Sequence, residues 1–185
     1  MQAKEPISAI KELPKPLLMV DIDGVISLFG GWEQGGWTDQ HERGDSHARD
    51  GSFHSIDGTL HFLSSTAAAH LLELSALFDL VWASGWEERA NEHLPHLLGL
   101  PAALPFLRFS RDVGGRAGAR AHWKLDAIEA HAGARPLAWI DDAFNPACHE
   151  WAHARSAPTL LVRTEPERGL TTAEAHQLQA WARAL

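Results

Sequence analysis

The chain has 185 residues, of which 45% are hydrophobic and 22% charged, and its formal net charge is −8. These values are typical of one globular domain with a hydrophobic core, and the acidic balance argues against broad, nonspecific nucleic-acid binding. A single cysteine, Cys148, excludes an internal disulfide and is compatible with a reducing compartment. Residues 1–16 lack the apolar core of a signal peptide, and no stretch approaches a membrane span. We therefore expect a cytoplasmic protein that does not enter membranes.

The first element predicted after a polar leader (residues 1–16) is a buried strand over residues 17–22. Its apolar residues occupy consecutive positions, as they do in the strands of parallel sheets. The strand ends at Asp21 and Asp23, two like charges whose repulsion a nearby cation or a shared proton would offset. Asp-x-Asp-Gly at a strand end is also a common turn sequence, so this pair alone does not distinguish a turn from a reactive site.

The next segment, residues 26–51, is polar and shows no periodicity. Asp57-Gly58 then lies between two runs of alternating apolar residues, which predicts a β-hairpin over residues 53–62. The whole insertion, residues 25–63, holds too little structure for an independent core. We therefore expect a hairpin flap here and no full cap domain.

From residue 64 onward, predicted helices and strands alternate. Helices are predicted for residues 64–77, 87–98 and 122–132, after Asn145-Pro146, and after the capping box at residues 171–174. Strands are predicted for residues 79–83, 104–109, 136–140 and 159–162. This alternation predicts a single α/β domain over residues 17–185, a Rossmann-like three-layer sandwich whose central parallel sheet is covered on both faces.

Three of the predicted strands have polar ends, and these ends suggest a common site. The residues there are Asp21 with Asp23, Ser84 with Gly85, and Asp141 with Asp142. Ligands of open parallel sheets bind beyond the carboxyl ends of the strands, where these side chains would meet.

This set of residues suits phosphoryl transfer. Asp21 would attack phosphorus, and Asp23 would protonate the leaving oxygen and later deprotonate water. Ser84 would donate hydrogen bonds to phosphate oxygens, and Lys124 would offset charge on the transferring group. A hard cation such as Mg²⁺ would allow a phosphate to enter so acidic a site.

The chain resembles phosphohydrolases of the haloacid dehalogenase (HAD) superfamily, because four of their motifs occur in order. The matching segments are residues 21–25, residues 81–84, Lys124 and residues 139–142. The resemblance implies that Asp21 is the nucleophile and Asp23 the acid/base, with Ser84, Gly85 and Lys124 at the phosphate. It also implies Mg²⁺ held by Asp21, the Asp23 carbonyl and Asp141, with Asp142 assisting. Dehalogenases of the superfamily lack an aspartate at the position of Asp23, so its presence favours phosphate chemistry.

Residues 82–87 and 136–142 are similar to the compact HAD domain of Swiss-army-knife RNA-repair proteins. An open, capless site suits a bulky phosphorylated substrate, either a small molecule such as a nucleotide or a nucleic-acid end. It also suits an oligomer in which a neighbouring subunit covers the site. Four arginines precede Lys124 and form either a solvated loop or a groove for a polyanion. They are Arg108, Arg111, Arg116 and Arg120.

The sequence leaves three alternatives open. His149-Glu150-x-x-His153 matches the zinc-protease pattern, which would make the protein a zinc metallohydrolase with Glu150 as base. A non-catalytic phosphate-binding module with the same fold is the second alternative. The third is a phosphotransferase or mutase, which would use the same aspartyl-phosphate with a different acceptor. Histidines recur around the predicted flap, where they either face water or contact a metal or the substrate. These are His41, His47, His54 and His61.

Overall fold

The computed structural model describes residues 14–29, 50–100, 104–109 and 122–185. Its strands are β1 (Leu17–Val20), β2 (Ser27–Leu28), β3 (Gly51–Ile56), β4 (Thr59–Ser64), β5 (Asp79–Trp82), β6 (Leu137–Asp141) and β7 (Thr159–Arg163). Its helices are α1 (Ser65–Leu74), α2 (Arg89–Leu98), α3 (Leu125–Ala132), α4 (Pro146–Ala154) and α5 (Thr172–Arg183). None of the helices in this part of the chain is long and apolar enough to cross a membrane.

Four parallel strands form the central sheet, in the order β5-β1-β6-β7. The register aligns Val20 at the end of β1 with Trp82 of β5 on one side and Ile140 of β6 on the other. The segments that follow these three strands therefore leave the sheet side by side. The predicted α/β fold with a parallel sheet is confirmed, and its carboxyl edge is where the polar strand endings lie.

The sheet separates two hydrophobic cores, because successive side chains of a strand face opposite sides. Leu18 and Val20 of β1 belong to the core that packs against α1, α2 and α5. Leu17 and Met19 belong to the second core, which packs against α3 and α4. All four side chains are at most 1% exposed, so β1 is the central element of a three-layer sandwich.

A small antiparallel sheet, in the order β2-β4-β3, stands apart from the central one. Asp57 and Gly58 both have positive φ, as the two central residues of a type I′ hairpin turn require, and they connect β3 to β4. Strand β2, which follows directly from the Asp23-Gly24 turn, pairs with β4 and ties the hairpin to the end of β1. The predicted hairpin is thus part of a three-stranded sheet that fits the role of a flap.

Some predicted elements are shorter in the structure. Residues 104–109 do not form a strand, although Trp82 donates to Pro105 O and accepts from Leu107 N. Proline has no N–H to donate, which limits the pairing at this edge to a single bridge. The helix predicted over residues 64–77 ends at Leu74, where Ser75 folds back and its hydroxyl donates to Leu72 O. The capping box of Thr171 and Glu174 is present at α5.

Candidate active site

A buried cluster of ionisable side chains lies at the carboxyl edge of the central sheet. Lys124 Nζ is 2.8 Å from Asp21 Oδ2 and 2.7 Å from Asp141 Oδ2. Asp21 comes directly after β1, Asp141 ends the neighbouring strand β6, and Lys124 immediately precedes α3. None of the three residues is more than 6% exposed. Three residues predicted from separate motifs are therefore in direct contact.

Each of the two carboxylates in this cluster has a second, fixed donor. Asp21 Oδ1 accepts from the Ile22 backbone N–H at 2.8 Å. Asp141 Oδ1 accepts from the Ala143 N–H at 2.9 Å, and its Oδ2 accepts from Trp139 Nε1 at 3.1 Å. Hydrogen bonds to both oxygens fix the rotation of a carboxylate. Asp21 is therefore held with one oxygen on the backbone and the other on Lys124.

The cluster also has the donor set that Mg²⁺ prefers. Carboxylate oxygens of Asp21, Asp141 and Asp142 lie within 4.8 Å of one another, and Mg²⁺ binds oxygen ligands of this kind together with water and phosphate. Among the residues that the structure describes, Lys124 is the one positive charge in contact with Asp21 and Asp141. A divalent cation would thus fit both the chemistry and the charge of this group.

The pKa values of Asp21 and Asp142 are both raised, chiefly because the two carboxyl groups are buried. Burial raises the pKa of Asp21 to about 6, and the Asp141 carboxylate also raises it, against the opposing effect of Lys124. Burial and the neighbouring Asp141 raise the pKa of Asp142 as well. Both shifts disfavour the ionised carboxylates, and a bound cation would stabilise the ionised form.

Asp23 does not belong to this cluster through its side chain. Its Oδ2 accepts a hydrogen bond of 3.0 Å from Trp86 Nε1, in the turn after β5. The structure thus separates the carboxylate predicted as acid/base from the carboxylates that would hold the metal. The predicted metal contact of Asp23 is through its backbone carbonyl, which leaves the side chain available for proton transfer.

Ser84 and Gly85 lie in the turn that follows β5, the strand next to β1. The Ala83 N–H donates to Val20 O at 2.8 Å, so the two strands stay paired up to this turn. Ser84 is 1% exposed, and its carbonyl accepts from the Glu87 N–H at 3.0 Å. Glu87 has a φ of 48°, a left-handed conformation that is uncommon for a non-glycine residue and found in tight turns. This turn brings Ser84 and Gly85 to the same edge of the sheet as Asp21.

Two tryptophans donate to site carboxylates, and neither was predicted from the sequence to do so. Trp139 precedes Asp141 by two positions in β6, so strand periodicity places both side chains on one face of the sheet and was an available signal. Trp86 lies in a turn, where no such periodicity applies. Thr164 was also missed: it follows β7, is 2% exposed, and its hydroxyl donates to Gly24 O at 2.8 Å.

The zinc alternative has less support from the structure. His149, Glu150 and His153 are all exposed on α4. In the described ranges, Asp21, Asp141 and Asp142 are the only group of three or more possible ligands close enough to share an ion. A catalytic zinc site needs three protein ligands, and the two histidines have no third ligand beside them in those ranges.

Several predictions concern residues outside the described ranges. They include His41, His47, Arg111, Arg116, Arg120 and most of the polar leader. Arg108 lies within the described part, where its guanidinium is 2.6 Å from Glu88 Oε2 and lies over the Phe106 ring.

Gly24 permits the close approach of the β1 turn to Asp142. Its φ is 73°, and a Cβ placed on it would lie 2.6 Å from Asp142 Cγ. We expect Gly24→Ala to lower the free energy of unfolding by about 2–3 kcal/mol, through backbone strain and displacement of Asp142. Gly58→Ala is the matched control, because Gly58 has a φ of 80° but nothing within 4 Å of an added Cβ.

Urea unfolding of the two alanine variants measures this difference. The free energy of unfolding of the control should fall only by the cost of placing alanine in the left-handed conformation, about 1 kcal/mol. Equal decreases in the free energy of unfolding of both variants would show that displacing Asp142 costs no stability.

Comparison with known proteins agrees with this geometry. The family model described as the HAD domain in Swiss Army Knife RNA repair proteins matches residues 17–175, a range that contains every residue of the site. No curated protein and no solved structure gives a significant match. The matched family supports a phosphohydrolase that acts on phosphorylated substrates. The chain belongs to the HAD superfamily, in the family of the HAD domain of Swiss Army Knife RNA repair proteins.

Proposed function

We propose that the protein is a Mg²⁺-dependent phosphatase that cleaves a phosphomonoester, a nucleotide or a phosphorylated nucleic-acid end, through an aspartyl-phosphate intermediate. The observation that carries this proposal is the contact of Lys124 with both Asp21 and Asp141, at 2.8 and 2.7 Å, within one buried cluster. An ion pair of this kind is costly to bury for structural reasons alone. We also propose a cytoplasmic location and a single domain over residues 17–185.

In the first step, Asp21 Oδ2 attacks phosphorus while the bond from phosphorus to the substrate oxygen breaks. Asp23 gives its proton to that oxygen, so the alcohol leaves neutral. Asp21 is suited to attack because its Oδ1 is held by the Ile22 N–H. Lys124 lies beside the attacking oxygen, where its charge would stabilise the transferring phosphoryl group.

In the second step, water attacks phosphorus and gives a proton to Asp23, and the bond from phosphorus to Asp21 breaks. This step restores both carboxyl groups and releases inorganic phosphate. Ser84, with the backbone at Gly85, would bind the phosphate oxygens throughout. Asp21, Asp141, Asp142 and the Asp23 carbonyl would hold Mg²⁺, which when bound offsets the charges of the phosphate and the carboxylates.

Phosphate release from a substrate panel tests this function. The panel contains nucleoside monophosphates, sugar phosphates and oligonucleotides phosphorylated at the 5′ or 3′ end. We expect release that requires Mg²⁺, stops on chelation with EDTA and returns when Mg²⁺ is added in excess. Activity that is insensitive to chelation would contradict the proposal, and stoichiometric zinc with activity lost in His149→Ala would favour the metallohydrolase. Hydrolysis of small phosphates alone would exclude nucleic-acid ends as substrates.

A further inference from the structure

Trp86 stands out because its only polar atom is committed to the side chain of Asp23. Its Nε1 donates to Asp23 Oδ2 at 3.0 Å, although the two residues are far apart in the sequence. An indole N–H donates and never accepts. The bond therefore occupies Oδ2 and favours placing the proton of a protonated Asp23 on its other oxygen, Oδ1.

The Trp86 ring is itself held by the flap. The His61 ring of β4 packs edge-on against it, with ring centroids 4.9 Å apart. In turn, His61 Nδ1 is 2.9 Å from the Ser27 hydroxyl of β2. Ser27 is 3% exposed, and its backbone carbonyl accepts from the Gly24 N–H, next to Asp23. A closed loop of contacts thus runs from Asp23 through Trp86, His61 and Ser27 back to the residue after Asp23.

We propose that Trp86 is a positioning residue that orients the Asp23 carboxyl for proton transfer, and that His61 of the flap holds the Trp86 ring in place. This inference rests on the proposed function, because it assigns a role in the protonation of the leaving group. A carboxyl free to rotate would present its proton to the leaving oxygen only part of the time. The Trp86 N–H on Oδ2 restricts that rotation before the substrate arrives.

The leaving alcohol provides a specific test. Protonation matters greatly for an alkyl phosphate, whose alkoxide leaves poorly, and little for 4-nitrophenyl phosphate, whose phenolate leaves unaided. Trp86→Phe keeps a ring beside His61 but removes the N–H. We expect kcat/KM for the alkyl phosphate to fall by about tenfold or more, part of the usual contribution of general acid catalysis, and for 4-nitrophenyl phosphate by less than about threefold. The parameter kcat/KM is chosen because it covers the steps up to departure of the alcohol.

Three further variants complete the design. Trp151→Phe is the matched control, since Trp151 Nε1 also donates to a carboxylate at 3.0 Å, that of Glu129 on the exposed surface. It should leave kcat/KM for both substrates unchanged. Asp23→Asn should show the same preference for the good leaving group as Trp86→Phe, and more strongly. His61→Ala should show it more weakly.

A spectroscopic measurement keeps the inference testable if Trp86→Phe folds poorly. In a two-dimensional NMR spectrum of ¹⁵N-labelled protein, the Trp86 indole N–H signal should move in Asp23→Asn, while that of Trp151 should not. An immobile signal would overturn the inference, as would equal losses of kcat/KM on both substrates in Trp86→Phe. In either case, an active wild-type enzyme would leave the proposed function standing. A wild-type protein that hydrolyses neither substrate would instead overturn the proposed function and this inference with it.

Discussion

Replacing Asp21 by asparagine should reduce phosphate release by about 10⁴-fold or more, the loss expected when a catalytic nucleophile is removed. An amide of the same shape does not form the acyl-phosphate bond, so no residual turnover through Asp21 is possible. Asp126→Asn makes the same chemical change at an exposed position of α3 and should have no effect. Retention of a tenth of the activity in Asp21→Asn would contradict the assignment of Asp21 as nucleophile.

The same substitution should stabilise the metal-free protein. Loss of activity in this variant would then come from the missing nucleophile and not from unfolding. Burial raises the pKa of Asp21 from 3.8 to about 6, so the folded state binds its proton more tightly than the unfolded state does. The contribution of this group to stability is therefore fully present below pH 3.8 and is lost as the pH rises through about 6. Asparagine has no such titration.

Thermal unfolding in EDTA at several pH values measures this effect. At pH 8, Asp21→Asn should be more stable than wild type by about 1–3 kcal/mol, and near pH 4 the two should be equal. A variant that is less stable than wild type at pH 8 would show that the ion pair with Lys124 outweighs the burial of Asp21.

The sequence predicted the fold class, and which residues meet at the carboxyl edge of the sheet, more completely than it predicted the contacts of those residues. Asp21 and Asp141 were identified because each ends a run of buried strand residues, and such endings meet at one edge of a parallel sheet. Lys124 does not directly follow a predicted strand, and it was assigned only by its residue type and by its order among the motifs. Its bridging position between two carboxylates follows from the adjacency of β1 and β6, which are separated by more than a hundred residues.

Apart from Trp139, which strand periodicity could have indicated, the features that were missed depend on tertiary packing. Trp86 has no periodic relation to Asp23, and the flap has to fold over the turn after β5 before His61 meets the Trp86 ring. Residues 104–109 carry the apolar pattern of a strand, yet Pro105 removes a donor that the ladder would need. Local patterns specify elements and their ends, whereas side-chain hydrogen bonds between distant elements become visible only when the sheet is assembled.

Replacing Lys124 by methionine should have the opposite effect on stability from Asp21→Asn. The ammonium of Lys124 is the group that neutralises Asp21 and Asp141 in an environment where Lys124 is only 3% exposed. Methionine fills much of the same volume but leaves both carboxylates without their cation. Removal of one partner from a buried ion pair costs about 3–5 kcal/mol, and we expect a loss of this size at pH 8 in EDTA.

Two features distinguish this loss from simple damage to packing. It should shrink as the pH falls from 8 towards about 6, because Lys124 lowers the pKa of Asp21, and without Lys124 this carboxylate takes up its proton at a higher pH than in wild type. Mg²⁺ should also raise the melting temperature of Lys124→Met more than that of wild type, since a cation that binds the folded cluster restores the missing charge. Lys15→Met, at an exposed lysine, is the control and should show neither effect.

Activity of Lys124→Met should fall by about 10²–10³-fold even when Mg²⁺ saturates the protein, the usual cost of removing one electrostatic contact to a developing charge. Stability and activity then respond differently to the metal: Mg²⁺ restores the fold but not the charge beside the attacking oxygen of Asp21. Initial rates at saturating Mg²⁺, compared with melting temperatures under the same conditions, measure both responses. Full recovery of the rate would reduce Lys124 to a structural counter-ion for the carboxylates, and a rate that stays low would place its charge at the phosphoryl group.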